Sequence, residues 1–200
     1  MIKASSKSER TRNFIIESTA EVFNKKGYAG TALSDITSAT GLSKGSIYSN
    51  FKNKEEVALA VFDFNCSRLS KSTKEQTDLA QSYHDKLMVY AKVYRKVSGG
   101  RINRGGCPIL NTATEADDTN NLLKDRAAKA ILQWKKNIVQ LIEQGIDAGE
   151  FKAEVDPRQT ALSVIALIEG GVMISRVTGN PANMDNVLQT VEMLISQMKK

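Results

Sequence analysis

Apolar residues in this 200-residue chain recur at steps of three and four, the period of helices that bury one face. From Arg10 to Lys26 the positions Phe14, Ile15, Ile16, Ala20, Val22 and Phe23 follow that spacing, and Gly27 after Lys25 and Lys26 predicts a helix end. Thr31 is placed to cap a brief second helix, with Asp35 near its first turn and Leu33, Ile36 and Ala39 as its stripe before Gly41. Ser43 can cap a third, in which Ile47 and Phe51 lie four apart. Asn53 followed by Glu56 resembles a capping box that opens a fourth, Lys54 to about Leu69. Helices two and three then meet at a tight turn, Thr40 to Ser43.

Beyond Leu69 the pattern predicts helix five around Asp78 to Val97, a glycine-punctuated mobile loop "SGGRINRGG", and helix six from about Pro108 to Asp117. A long helix from Asn121 to Ala148 follows, then a break at "GEFKAEVDPR". Pro157 after Asp156 starts a helix reaching about Val177, and the last runs from Met184 to Met198. With three prolines, 6% aromatics and 41% hydrophobic residues, the expected fold is all-α. The N-terminal stretch lacks the apolar core of a secretory signal, and no stretch is expected to reach the roughly 20 apolar residues of a membrane span. The expectation is a cytoplasmic protein. Cys66 and Cys107 stand alone, without C-x-x-C spacing, which fits a reducing compartment.

Charge then sharpens the picture. Residues 1–54 carry nine basic and four acidic side chains, most of the net +6 of the whole chain. A cation excess in the first quarter points to a polyanion, nucleic acid being the commonest, although charge alone fits a solvated basic face equally well. The short helix pair supplies what charge lacks. Two helices at a tight turn form a helix-turn-helix, whose second member enters the major groove of DNA while the first crosses the backbone. With Ile36, Ala39, Leu42, Ile47 and Phe51 turned inward, Lys44, Gly45, Ser46, Tyr48, Ser49 and Asn50 point outward. Gly45 costs a helix about 1 kcal/mol relative to Ala, which suggests that close approach matters more than helicity. Thr31, at the positive end of helix two, suits a phosphate, and Tyr48 and Lys54 can add backbone contacts.

The run "TALSDITSATGLSKGSIYSNFKNKEEVALAVF" closely resembles the N-terminal DNA-binding domain of the TetR family of transcriptional regulators, over roughly residues 8 to 60. It departs from the family pattern at Thr37, often alanine, and at Ser49, often histidine or tyrosine, and the latter leaves the operator sequence open. The resemblance implies a homodimeric, ligand-responsive repressor, released by a small-molecule effector from a near-palindromic double-stranded DNA operator. It implies a DNA-binding domain over residues 1–54 and a helical ligand-binding and dimerisation domain over 55–200. No cofactor, metal or membrane partner is expected.

The last two helices read as the dimer interface, both from an apolar surface wider than one subunit needs, with the small pair Gly170 and Gly171, and because the family dimerises there. By the same resemblance the effector pocket lies among helices four to eight. Its candidates are Phe62, Tyr90, Tyr94, Cys107, Leu110, Asn111, Trp134, Ile138, Glu169 and Met173, most of which also read as plain core positions. Cys107, near a helix N-terminus with Arg101 and Arg104 close in sequence, fits a redox sensor as well as a buried, inert thiol. The acidic run Glu115 to Asp118 reads as a solvated helix end, having no His or Cys at ligand spacing. An enzyme is not expected: the glycine loop lacks Gly-Lys-Ser/Thr, and the single histidine, His84, has no nucleophile partner. A helical module that binds other proteins without DNA affinity is the remaining class, and it would make the basic head incidental.

Overall fold

The computed structural model describes residues 6–200, and among them the chain is helical without strands: α1 (Lys7–Lys26), α2 (Leu33–Thr40), α3 (Lys44–Tyr48), α4 (Lys54–Leu79), α5 (Tyr83–Ser98), α6 (Pro108–Ala116), α7 (Asn121–Asp147), α8 (Pro157–Thr178) and α9 (Ala182–Gln197). The all-α expectation holds. Lys3, counted in the basic excess, lies outside the described residues.

Two apolar cores organise these helices. Ile15, Ala20 and Phe23 of α1 meet Ile36, Ile47 and Phe51 and the first turns of α4, Val57, Ala58 and Val61, to form a small head. The larger core joins α4 to α9 around Leu87, Val93, Tyr94, Ile138, Ile142, Ile168, Val172, Leu188 and Val191. Helix α4 is therefore common to both, and its 26 residues span about 39 Å at 1.5 Å per residue.

Local signals account for most boundaries. Ser43 Oγ accepts from the Ser46 N–H at 3.2 Å, and Asn53 Oδ1 accepts from the Glu56 N–H at 2.8 Å, so both caps form, although Glu56 completes no capping box and its carboxylate accepts instead from the Lys52 N–H at 2.7 Å. Gly41 ends α2 at φ +69°, in the left-handed region that a side chain rarely adopts, and so permits the abrupt turn into α3.

Several expectations are corrected. The N-cap of α2 is Ala32, whose N–H donates to Asp35 Oδ2 at 2.9 Å. Thr31 is fully buried, and its hydroxyl donates to the Gly27 carbonyl at 2.6 Å. Helix α4 continues to Leu79, ten residues past the predicted end, through a stretch with no apolar stripe. There the helix is supported by the i,i+4 pairs Lys71–Glu75 and Lys74–Asp78 and by hydroxyls bonded back to the preceding turn, such as Thr73 to the Leu69 carbonyl. Helix α5 accordingly starts at Tyr83, capped by Ser82. Helix α8 is long and apolar enough to cross a membrane by length and composition, contrary to the expectation that no segment is. One of its faces packs within the larger core, through Ala161, Val164, Ile165, Ile168 and Val172.

The small pair of α8 divides between two surroundings. A Cβ on Gly171 would lie 2.9 Å from Met184 Sδ and 3.1 Å from Val187, so this glycine lets α9 of the same chain approach closely. Gly170 has open space around it.

Candidate nucleic-acid interface and ligand cleft

The outer surface of α3 is small and basic. Lys44, Gly45 and Ser49 are exposed, and Ser46, Tyr48 and Asn50 are half-buried, while Ile47 is fully enclosed by the head core. Beyond α3 the chain is pinned by Arg12, which donates to the Asn50 carbonyl at 2.6 Å and to Glu56 Oε1 at 2.8 Å and lies 4.0 Å from the Phe51 ring centre. The orientation of so short a helix is thus set by α1 and α4. Five residues cannot hold themselves in helical form in water.

Lys54 and Thr31, expected at the DNA backbone, serve the head from inside. The Lys54 ammonium donates to the carbonyls of Tyr28 at 2.8 Å and Thr31 at 3.0 Å and sits 4.3 Å from the Tyr28 ring centre. Two of its three donors are spent on that turn. The buried Thr31 hydroxyl is committed to Gly27 and has no route to a phosphate from this position.

A polar joint links head and body. Asn24 of α1 donates to the carbonyls of Arg104 at 2.9 Å and Gly106 at 3.0 Å, and Asn111 of α6 donates to the carbonyls of Asn24 and Gly105, each at 2.9 Å. Asn65 in the middle of α4 donates to the Ala20 carbonyl at 3.1 Å and accepts at its own carbonyl from Asn103 at 3.2 Å. Glu115, at the end of α6, accepts from the backbone N–H of Tyr28 at 2.8 Å and of Ala29 at 2.7 Å. The glycine loop read as mobile is therefore held against α1. Glu115, read as part of a solvated acidic run, clamps the turn between α1 and α2.

Between α4, α5 and α7 lies a cleft of about 530 Å³. Its inner wall is aromatic: Trp134 stacks on Tyr94 with ring centres 4.9 Å apart and planes 5° apart, and on Tyr90 at 6.4 Å and 19°. Cys66, Leu69, Ile109, Ala130 and Leu141 add apolar lining. The outer edges are polar and uncharged, with Ser67, Ser70, Thr73 and Thr77 on α4 facing Gln133, Asn137, Gln140 and Gln144 on α7. Lys74 and Asp78 at the mouth pair with each other at 2.8 Å.

Behind Tyr94 the polar chain continues inward. Its hydroxyl lies 3.8 Å from Cys107 Sγ, and the Cys107 thiol donates to Glu169 Oε1 at 3.0 Å. Burial raises the Glu169 carboxyl to about 7, the thiol hydrogen bond opposing this in part. Burial, then the Glu169 charge, pushes the Cys107 thiol well above its ordinary range. The helix-terminus effect expected to favour the thiolate is outweighed, and Cys107 stays a neutral thiol at pH 7. Burial and the nearby Asp63 and Glu169 likewise push Cys66 to about 12, and burial pushes Tyr90 to about 12.

Of the ten ligand candidates, Tyr90, Tyr94 and Trp134 line the cleft. Cys107 and Glu169 extend its polar chain without lining it, and Ile138 and Leu110 pack in or against the core. Phe62 is buried where α1, α4 and α6 meet. Asn111 belongs to the joint, its amide being committed to backbone carbonyls. Met173 is 52% exposed and lies outside the cleft. The hydroxyl and amide edges were missed by sequence reasoning. Their signal was present as the helical spacings 67, 70, 73, 77 and 133, 137, 140, 144, each a polar stripe on one face of a long helix.

A last feature is apolar and uncovered. Leu162, Met173, Ile174 and Val177 of α8 and Met193 of α9 are exposed, Val177 at 84%, and Met193 lines a shallow groove together with Ala166, Leu167, Thr190 and Leu194.

Known proteins resemble the chain over nearly its whole length. Residues 15–61 match the family model described as "Bacterial regulatory proteins, tetR family", and residues 84–191 match "Tetracyclin repressor-like, C-terminal domain". A TetR-family transcriptional regulator from Cytophaga hutchinsonii is 49% identical, with 98% of each chain covered and a TM-score of 0.94. One from Chloroflexus aurantiacus J-10-FL is 37% identical, covering 96% of this chain and 98% of that one, with a TM-score of 0.92. The HTH-type transcriptional repressor DhaR of Mycobacterium sp. (strain GP1) is 26% identical over 188 residues, 90% of this chain and 89% of DhaR.

Proposed function

Because the chain belongs to the TetR family of helix-turn-helix transcriptional regulators, DNA-binding proteins rather than enzymes, we propose that it is a homodimeric repressor released from its operator by a small molecule. The reading head is residues 1–54 and the ligand-binding and dimerisation body 55–200. Helix α3 enters the major groove with Lys44, Gly45, Ser46, Tyr48, Ser49 and Asn50 toward the DNA, and Thr31 and Lys54 shape the turn beside it. The exposed apolar face of α8 and α9, with the open flank of Gly170, meets its two-fold mate. Two heads about 34 to 36 Å apart then read a near-palindromic operator in the cytoplasm.

The observation that carries this reading is the sharing of α4. Its first turns, Val57, Ala58 and Val61, belong to the head core, and its last turns, from Ser67 to Asp78, form one wall of the cleft. A compound that fills the cleft and prefers one position of α4 changes the separation of the heads. Only its differential affinity for the two positions can drive the change.

Footprinting of the purified protein on the DNA upstream of its own gene tests the proposal. A protected near-palindrome that is lost on adding an effector is the expected result. Protection of no segment, or a protein that sediments as a monomer while bound to DNA, would overturn it.

A further inference from the structure

The three residues that follow the end of α3 are all held by one ion pair. The N–H groups of Asn50 and Phe51 both turn back to the Ile47 carbonyl, at 3.0 and 3.1 Å. The Asn50 carbonyl, beyond the helix end, finds its donor in Arg12 of α1, whose Nη1 lies 2.6 Å away. Nη2 of the same guanidinium donates to Glu56 Oε1 at 2.8 Å, and its carbon lies 4.0 Å from the Phe51 ring centre. The other Glu56 oxygen accepts from the Lys52 N–H at 2.7 Å. That bond, and then the one from Arg12, hold the Glu56 carboxyl below the usual carboxylate range, so the pair stays ionised at neutral pH.

Arginine suits this task where lysine does not. One planar fork reaches a carbonyl and a carboxylate on different elements while its face lies on a ring, and an ammonium cannot do all three in one geometry. Arg12 counts among the cations of the basic head, yet its charge is matched by Glu56, and the two side chains are only 35% and 34% exposed. A helix of five residues has little else to fix its angle. We infer that Arg12 is a positioning residue for DNA reading, which sets the angle at which α3 meets the groove and acts on base recognition through Asn50 and Phe51 rather than through a phosphate. The inference rests on the reading of α3 as the recognition helix. It adds a residue of α1 on which specificity depends, and it makes Glu56, an acid, a requirement for binding a polyanion.

Two duplexes of equal length test it on the full chain, one carrying the segment protected upstream of the gene and one with that segment scrambled. Fluorescence anisotropy at about 50 to 200 mM salt reads both affinities and their salt dependence. Arg12→Lys keeps the charge and loses the fork. It should lower operator affinity at least about five-fold, the lower end of what one base contact is worth. The scrambled duplex should stay within about two-fold and the slope of log K against log salt should not change. Glu56→Gln removes a negative charge from the head, which by itself tightens binding to any duplex. The inference expects the opposite for the operator, a weakening like that of Arg12→Lys, with the scrambled duplex bound as tightly or more so. The double variant should lose little more than either single one, because both changes break the same interaction.

An equal fall on both duplexes, or full operator affinity in Arg12→Lys together with a slope lowered by about one unit per head in Arg12→Ala, is the mark of a phosphate contact and would overturn the inference. If Arg12→Lys does not fold by circular dichroism, Glu56→Gln decides alone: unchanged or tighter operator binding overturns the inference, and weaker binding supports it. An unaltered protein with no preference between the duplexes would refute the reading of α3 itself, whereas a preference that survives both variants at full size refutes only the role of Arg12.

Discussion

Glu115 and Tyr28, 87 positions apart in sequence, are joined by a hydrogen bond of 2.8 Å from the Tyr28 N–H to the Glu115 carboxylate. The other oxygen takes the Ala29 N–H, so the end of α6 grips the turn between α1 and α2. The body thus holds the head by a route separate from α4. Replacing Glu115 with Ala removes two bonds to a charged acceptor, at sites partly open to water, and is expected to cost about 1–3 kcal/mol. Hydrogen exchange should quicken at the amides of Tyr28 and Ala29 and stay slow at Val93 in the body core. Unchanged exchange at the turn would show that the clamp holds nothing.

Lys44 is exposed at the start of α3. If it meets a phosphate, Lys44→Ala weakens duplex binding to a similar degree for every sequence and lowers the salt dependence, log K against log salt, by about one unit per head. A slope identical to that of the unaltered protein would remove Lys44 from the interface.

Gly45→Ala separates folding from reading. A Cβ there has open space, its nearest neighbour being Ser43 Oγ at 3.9 Å, and alanine favours the helix by about 1 kcal/mol. Thermal stability should hold or rise while operator affinity falls, because the methyl stands on the surface proposed to face the groove. Affinity that rises with stability would mean that α3 does not approach DNA closely at this position.

Glu169 makes stability depend on pH with a definite sign. Its folded value, about 7, lies above its ordinary value of 4.5, so folding favours the protonated form. The contribution is fully present below about pH 4.5 and is lost as pH rises through 7, a change of about 3 kcal/mol at most by linkage. Glu169→Gln should remove this fall and make the protein more stable than its parent at pH 8, as thermal melts across pH 5 to 8 would read. Parallel pH profiles for the two proteins would contradict the assignment.

Val177, 84% exposed on α8, belongs to the face proposed to meet a second subunit. Val177→Asp should shift sedimentation from dimer to monomer while leaving the helical circular dichroism intact, since the position touches no core of its own chain. A stable dimer after this change would place the interface elsewhere.

Much of the fold was legible because its signals are local. Capping by Ser43 and Asn53, the left-handed Gly41 and the period of Ile47 and Phe51 act within a few residues, so the helix-turn-helix could be read from a short quoted run. Where the local signal is weak, the reading stopped early: the last ten residues of α4 carry no apolar stripe, and their helix is held by ion pairs and hydroxyl bonds around its surface. Thr31 misled for a related reason. Threonine before an apolar stripe fits a cap, but Asp35 reaches back to Ala32 and leaves Thr31 to be enclosed by the head.

The sequence by itself determined the order and period of the helices, the reading stub of α3 and the basic bias of the head, since each depends on neighbours along the chain. Only the tertiary structure decided that Asn111 and Glu115 serve the joint rather than the cleft or solvent, that Cys107 lies buried against Glu169, and that Trp134 meets Tyr90 and Tyr94. These are encounters between residues tens of positions apart, where many partners of equal chemistry compete and the packing of whole helices selects one.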